Sequence, residues 1–106
     1  MNGADDVLRV GDLELDVRAR EARRAEKTIE LTAKEFALLE TLMRHAGQVL
    51  TRSQLLDLVW SYDALTESNV VDTYVHYLRT KVDRDFEPKL IRTVRGAGYS
   101  IRANGV

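Results

Sequence analysis

A chain of 106 residues, 44% hydrophobic and 31% charged, has material for one buried core and too little for a second domain. With no cysteine and only His45 and His76, it offers no disulfide framework, no thiolate chemistry and no zinc site, and no cofactor is expected. No apolar run approaches the ~20 residues of a membrane span and the N-terminus lacks a signal-peptide pattern, so a cytoplasmic protein is expected. The formal charge of −1 is unevenly spread: residues 1–68 carry 9 basic and 13 acidic side chains, residues 69–106 carry 7 and 4.

In chain order, Met1 to Asp6 reads as a linker or an added end, and residues 7–104 as the domain. Leu8-Arg9-Val10 and Leu13 to Val17 alternate apolar and polar around Gly11-Asp12, which predicts a strand pair. A second pair is expected from Ala22 to Arg24 and Thr28 to Leu31, around Ala25-Glu26-Lys27. That turn lacks glycine or asparagine, and its first strand is charged. An antiparallel sheet with one wet face follows.

At Thr32 the period changes. Thr32-Ala33-Lys34-Glu35 is a capping box, Phe36, Leu39, Leu42 and Met43 repeat at helical spacing, and Gly47 supplies the stop. His45, in the last turn, reads as a partner of the helix's negative end. A second box, Thr51-Arg52-Ser53-Gln54, starts a short helix with Leu55, Leu56, Val59 and Trp60 inward. Residues 61–68 are a polar connector. A third helix is predicted over 69–82, with Ser68 or Glu67 as its cap and Asp72 in its first turn.

On that helix Val71, Val75, Leu78 and Val82 form the core stripe, with Tyr74 at its border. The opposite side carries Asn69, Thr73, His76 and Thr80, flanked by Tyr77 and Arg84 on one edge and by Asp72, Arg79 and Asp83 on the other. Ile91 to Ile101 then reads as a hairpin whose tip is Arg95-Gly96-Ala97-Gly98, the glycines permitting a tight reversal. A hydrogen-bonding helix face beside a raised arginine suits two adjacent grooves of a DNA duplex, and the positive excess lies in the same segment. Two bland readings compete: a solvated helix face and an ordinary surface hairpin. No nucleophile with an adjacent base and no phosphate-binding glycine loop points to an enzyme, so no catalytic residue is expected.

Five blocks carry a resemblance: Leu31-Thr32 with Lys34-Glu35-Phe36 and Leu38-Leu39; Gly47 to Arg52 with Gln54-Leu55-Leu56; Val59-Trp60; Val70-Val71-Asp72 with Leu78-Arg79; and Thr93 to Tyr99. In this order the chain resembles the C-terminal effector domain of OmpR/PhoB-family two-component response regulators, over Leu8 to Arg102. The resemblance implies an α+β winged helix-turn-helix with a four-stranded N-terminal antiparallel sheet, three helices and a C-terminal β-hairpin wing. It also implies sequence-specific binding of double-stranded DNA in transcription regulation, with the third helix in the major groove and the wing in the minor groove.

Carried over by position, the implied DNA-facing residues are Asn69, Thr73, Tyr74, His76, Tyr77, Arg79, Thr93 and Arg95; the helical wheel adds Thr80. The chain departs from many members at His76 and Tyr77, where they carry arginine or lysine. Readout is therefore expected to lean on Asn69 against adenine, Thr73 near thymine methyls and a phosphate contact from Arg79, with low affinity for one half-site. Residues 60–68 match a loop that touches RNA polymerase in similar proteins, with Tyr62, Asp63 and Glu67 as the expected contacts and Trp60 as a core plug. The resemblance further implies a receiver domain preceding the sheet, so the chain reads as an excised effector domain, monomeric alone and paired on direct repeats of DNA. The alternative is a winged-helix protein-interaction module without direct DNA binding.

Overall fold

Four short strands open the fold as a meander: β1 (Val7–Val10), β2 (Leu13–Asp16), β3 (Glu21–Arg24) and β4 (Lys27–Ile29), each antiparallel to the next. A computed structural model describes residues 6–61 and 69–103. The registers pair Val10 with Leu13, Leu13 with Arg24 and Arg24 with Lys27. Period-2 alternation turns Leu13, Leu15, Ala22 and Arg24 inward. The second hairpin is tighter than its composition suggests. Lys27 belongs to the strand rather than the turn, and the reversal is made by Ala25 and Glu26 alone, at φ 52° and 67°. This is the geometry that two-residue hairpins favour, adopted without glycine or asparagine. β4 stops at Ile29, and Leu31 packs on the core from outside the sheet.

Both capping boxes form. The Glu35 amide donates to Thr32 Oγ1 at 3.2 Å while Glu35 Oε1 accepts from the Thr32 amide at 2.8 Å, starting α1 (Ala33–Arg44). Thr51 and Gln54 do the same for α2 (Arg52–Leu55). His45 is the C-cap residue of α1, and its Nδ1 lies 2.9 Å from the Thr41 carbonyl oxygen, as expected of a ring at a helix's negative end. The second helix is not a uniform α-helix. After one α-turn the chain widens into a π-turn over Leu56–Trp60, which buries Val59 and Trp60 while leaving Leu58 exposed.

The last helix, α3 (Val70–Val82), buries Val71, Val75, Leu78 and Val82, the four residues of the predicted stripe. It begins one residue later than expected. Asn69 occupies the N-cap position and its side chain makes no capping bond; the expected caps Ser68 and Glu67 lie outside the described residues. A C-terminal hairpin of β5 (Ile91–Val94) and β6 (Gly98–Ile101) completes the fold. The three helices pack between this hairpin and the sheet around a core that includes Leu15, Phe36, Leu39, Leu55, Trp60, Leu78 and Ile101. That is an α+β winged helix-turn-helix.

Two inward charges were not legible as such. Arg24, on the strand read as weak, has no exposed surface: Nε donates to Asp12 Oδ1 at 2.8 Å, and one terminal nitrogen donates to the Val82 carbonyl at 2.6 Å and to Asp83 Oδ1 at 2.9 Å. The other donates to the Pro88 carbonyl. Asp83, placed by the helical wheel on the polar flank, is instead buried, because it ends α3 and accepts the Leu90 and Ile91 amides of the chain entering β5. This cluster ties the sheet, the end of α3 and the root of the hairpin together.

Candidate nucleic-acid interface

The outward side of α3 is open where the helical wheel places it. Asn69, His76 and Tyr77 are exposed, and Thr73 and Thr80 are half-buried. Both threonine hydroxyls donate to the carbonyl four residues back, Thr73 to Asn69 at 3.1 Å and Thr80 to His76 at 3.0 Å. With that donor engaged inside the helix, each side chain has its methyl group and oxygen lone pairs left for a partner.

Tyr74 behaves differently from its neighbours. Its ring packs edge-on against Trp60 at 5.3 Å and against Tyr77 at 5.2 Å, so it joins the core-buried tryptophan of the π-turn to the exposed tyrosine of α3. Trp60 is 7% exposed, as a core plug should be. Tyr74 is thus braced by packing, with only part of its surface left to face outward.

The hairpin turns through Arg95, Gly96 and Ala97, with the Ala97 amide donating to the Val94 carbonyl at 2.9 Å and Gly96 at φ 76°. Gly98 lies outside the tip. It begins β6, where a Cβ would stand 2.0 Å from the Leu50 carbonyl oxygen, so its role is close approach to a neighbouring backbone. There Leu50 and Tyr99 exchange amide hydrogen bonds of 2.8 and 2.9 Å, which fasten the hairpin to the segment before α2. Thr93 and Arg95 are both exposed, and Arg95 makes no hydrogen bond or ion pair among the described residues.

The helix and the hairpin are fastened to each other. Arg79 on α3 donates to Thr93 Oγ1 at 2.5 Å and to the Ile91 carbonyl at 3.5 Å. In the first turn of α3, the Asp72 carboxylate accepts the Tyr99 hydroxyl and Arg52 Nε, the latter at 2.7 Å. Two guanidinium groups stand against the Tyr99 ring, Arg52 at 5.1 Å and Arg79 at 5.7 Å from its centroid. The Tyr99 hydroxyl and the Arg52 guanidinium hold the Asp72 carboxyl below its ordinary range, against a smaller opposing effect of burial. Burial, then the hydrogen bond it donates to the Asp72 carboxylate, pushes the Tyr99 phenol up. Sequence reading assigned Arg79 to a phosphate and gave Arg52, Asp72 and Tyr99 no part in the site, although all three stand inside the family blocks. Their separations of 20 and 27 residues leave no local pattern to find.

Beside this joint an open groove of about 360 Å³ is lined by His76, Arg79, Thr80, Asp83, Arg84, Lys89 and Ile91. Its lysine is committed, donating to the Asp83, Arg84 and Phe86 carbonyls at the end of α3. The expected polymerase contacts Tyr62, Asp63 and Glu67 lie outside the described residues. Among the described residues no His, Cys, Asp and Glu cluster could hold a metal ion, and no helix is long and apolar enough to cross a membrane.

Residues 26–101 match the family model described as "Transcriptional regulatory protein, C terminal". The chain is 50% identical over 99 residues to the transcriptional regulatory protein TrcR of Mycobacterium tuberculosis, covering 93% of this chain and 38% of that one. It is similar to the response regulator DrrB, a Thermotoga maritima OmpR/PhoB homolog (TM-score 0.81, 33% identity, 92% of this chain and 44% of that chain). It is also similar to the Klebsiella pneumoniae RstA DNA-binding domain, solved in complex with the RstA box (TM-score 0.79, 31% identity, 92% of this chain and 98% of that chain). The chain thus spans about two fifths of the length of the curated relatives it matches.

Proposed function

Because the chain belongs to the OmpR/PhoB-type family of transcriptional-regulator C-terminal domains, we propose that residues 7–104 bind double-stranded DNA sequence-specifically, as the effector domain of a cytoplasmic two-component response regulator. The observation that carries this reading is the Arg79–Thr93 hydrogen bond. It sets the polar side of α3 and the arginine-bearing hairpin side by side as one surface.

On this reading α3 enters the major groove and the hairpin is the wing in the adjacent minor groove, where Arg95 meets concentrated negative potential. Asn69, free of any capping bond, suits the paired donor and acceptor of adenine, and Thr73 offers its methyl to thymine. His76, Tyr77 and Thr80 extend the surface along the helix. Arg79 keeps further N–H donors for a phosphate while it holds Thr93, and Tyr74 acts by bracing Tyr77. Two copies bind direct repeats about one helical turn apart, and residues 60–68 face RNA polymerase.

A titration of Arg95→Ala and Thr73→Ala, against a duplex that this chain selects from a randomised library, tests the proposal. Each variant is expected to bind more weakly than the parent by about tenfold. Unchanged binding in both would reject this contact map, and failure of the parent to select any duplex would favour the protein-interaction reading, which the net charge of −1 supports.

A further inference from the structure

Asp72 is out of place on a surface for DNA. It lies in the first turn of α3, its side chain is 45% exposed, and a carboxylate there repels phosphates. Two bland accounts exist for it. An acid in a first turn favours the helix dipole, and a surface ion pair with Arg52 contributes little. Neither explains why its carboxylate also takes the hydroxyl of Tyr99, a residue of the wing.

Beyond the Asp83 hold on its root, the wing is clipped to α3 by two side-chain hydrogen bonds. Asp72 holds Tyr99, and Arg79, seven residues further along the helix, holds Thr93. Thr93 and Tyr99 are themselves directly opposite one another in the β5–β6 ladder. Residues seven apart lie on one side of a helix, about two turns distant. One cross-strand pair of the wing is therefore pinned at both ends of a two-turn span. The Leu50–Tyr99 backbone exchange and the Asp83 hold on the Ile91 amide anchor the root of the hairpin, and the two side-chain clips set its angle to the helix. Arg95 stands two residues beyond Thr93 and inherits that angle.

Resting on the DNA-binding reading above, we infer that Asp72 is a positioning residue for specificity: by holding Tyr99 and Arg52 it fixes the wing against α3. Arg95 then reaches the minor groove only of a duplex whose base edges also fit α3. The carboxylate disfavours contact with DNA in general and favours it at the matching site. Arg52 neutralises part of its charge, and loss of Asp72 releases this guanidinium to phosphates of any sequence.

Electrostatics and positioning predict opposite signs at the selected duplex, which makes the inference testable. Affinity is measured by fluorescence anisotropy for the parent chain, Asp72→Ala, Asp72→Asn and Tyr99→Phe, against a duplex selected by the parent from a randomised library and a scrambled duplex of equal length. Asp72→Ala and Tyr99→Phe are expected to lose about tenfold on the selected duplex while Asp72→Ala binds the scrambled one as well or better. Asp72→Asn keeps an oxygen acceptor for Tyr99 at nearly the same shape, and should retain most of the discrimination even if Asp72→Ala folds poorly. In an Arg95→Ala background the Asp72→Ala loss should shrink to less than about twofold, since the group it positions is gone. Tighter binding of both duplexes, an equal change on both, or full additivity with Arg95→Ala overturns the inference alone. A parent chain that does not separate the two duplexes removes the DNA-binding reading, and the inference with it.

Discussion

Arg24 and Asp83 meet at 2.9 Å in the interior, 59 residues apart in sequence, with side chains 0% and 5% exposed. Arg24 comes from the sheet and Asp83 ends the helix proposed to read DNA, so this ion pair couples the sheet to the root of the wing.

Removing one partner leaves the other charged and buried. Arg24→Leu is expected to lower unfolding free energy by about 3–5 kcal/mol, because Asp83 loses its cation and the Val82 and Pro88 carbonyls lose a donor. Asp83→Ala should be of similar size. The double variant should cost less than the sum of the two, as urea denaturation of all three would show.

Gly96 and Gly98 should separate sharply. Gly96→Ala meets nothing within 4 Å and strains only φ, for a cost of about 1 kcal/mol. Gly98→Ala drives a methyl into the Leu50 carbonyl and should break the Leu50–Tyr99 exchange. The expected result is a larger fall in Tm for Gly98→Ala, with loss of amide protection at Leu50 and Tyr99.

Acid should loosen the contact between α1 and α3. Burial raises the Glu35 carboxyl, but the Lys81 ammonium at 2.6 Å and the Thr32 amide outweigh it and hold the group below its ordinary value of 4.5. A carboxyl lowered in the folded state contributes stability above its unfolded value, and that contribution is lost as pH falls through the folded value. Stability is thus expected to decline below about pH 4.5, with the Asp72 carboxyl, lowered chiefly by the Tyr99 hydroxyl, adding to the decline at lower pH. Denaturation curves across that range should show a flatter acid limb for Glu35→Gln.

The fold was legible where local chemistry decides it and obscure where distant chain segments meet. Both capping boxes and the stripe Val71, Val75, Leu78 and Val82 follow from spacing alone, and the structure has them. Arg24 shows the limit. Its inward position follows from alternation with Ala22, but its partners come from Asp12, Asp83, Val82 and Pro88, which no periodicity brings together. The π-turn at Leu56–Trp60 was likewise unreadable, since the same apolar residues suit an ordinary helix. For the candidate site, the wheel puts Asn69, Thr73, His76 and Thr80 on the outward side of α3, where the structure also has them, but the joint at Arg52, Asp72 and Tyr99 is tertiary.

Tyr74 and Tyr77, three residues apart, should divide bracing from contact. Tyr74→Ala removes the ring between Trp60 and Tyr77, and is expected to cost about 1–3 kcal/mol and to shift the emission of Trp60, the only tryptophan. Tyr77→Ala, at a residue 44% exposed, should leave stability and emission nearly unchanged while weakening DNA binding. Thermal melts and fluorescence spectra check the first pair of outcomes, and anisotropy the second.

The most direct test is to follow backbone amide resonances of the isotopically labelled chain during titration with its selected duplex. Shifts are expected together at Asn69, Thr73, His76, Tyr77 and Thr80 of α3 and at Thr93 to Ala97 of the wing, moving with a single affinity, while β1 to β4 stay nearly still. Shifts confined to the sheet, or on α3 without the wing, would contradict the account.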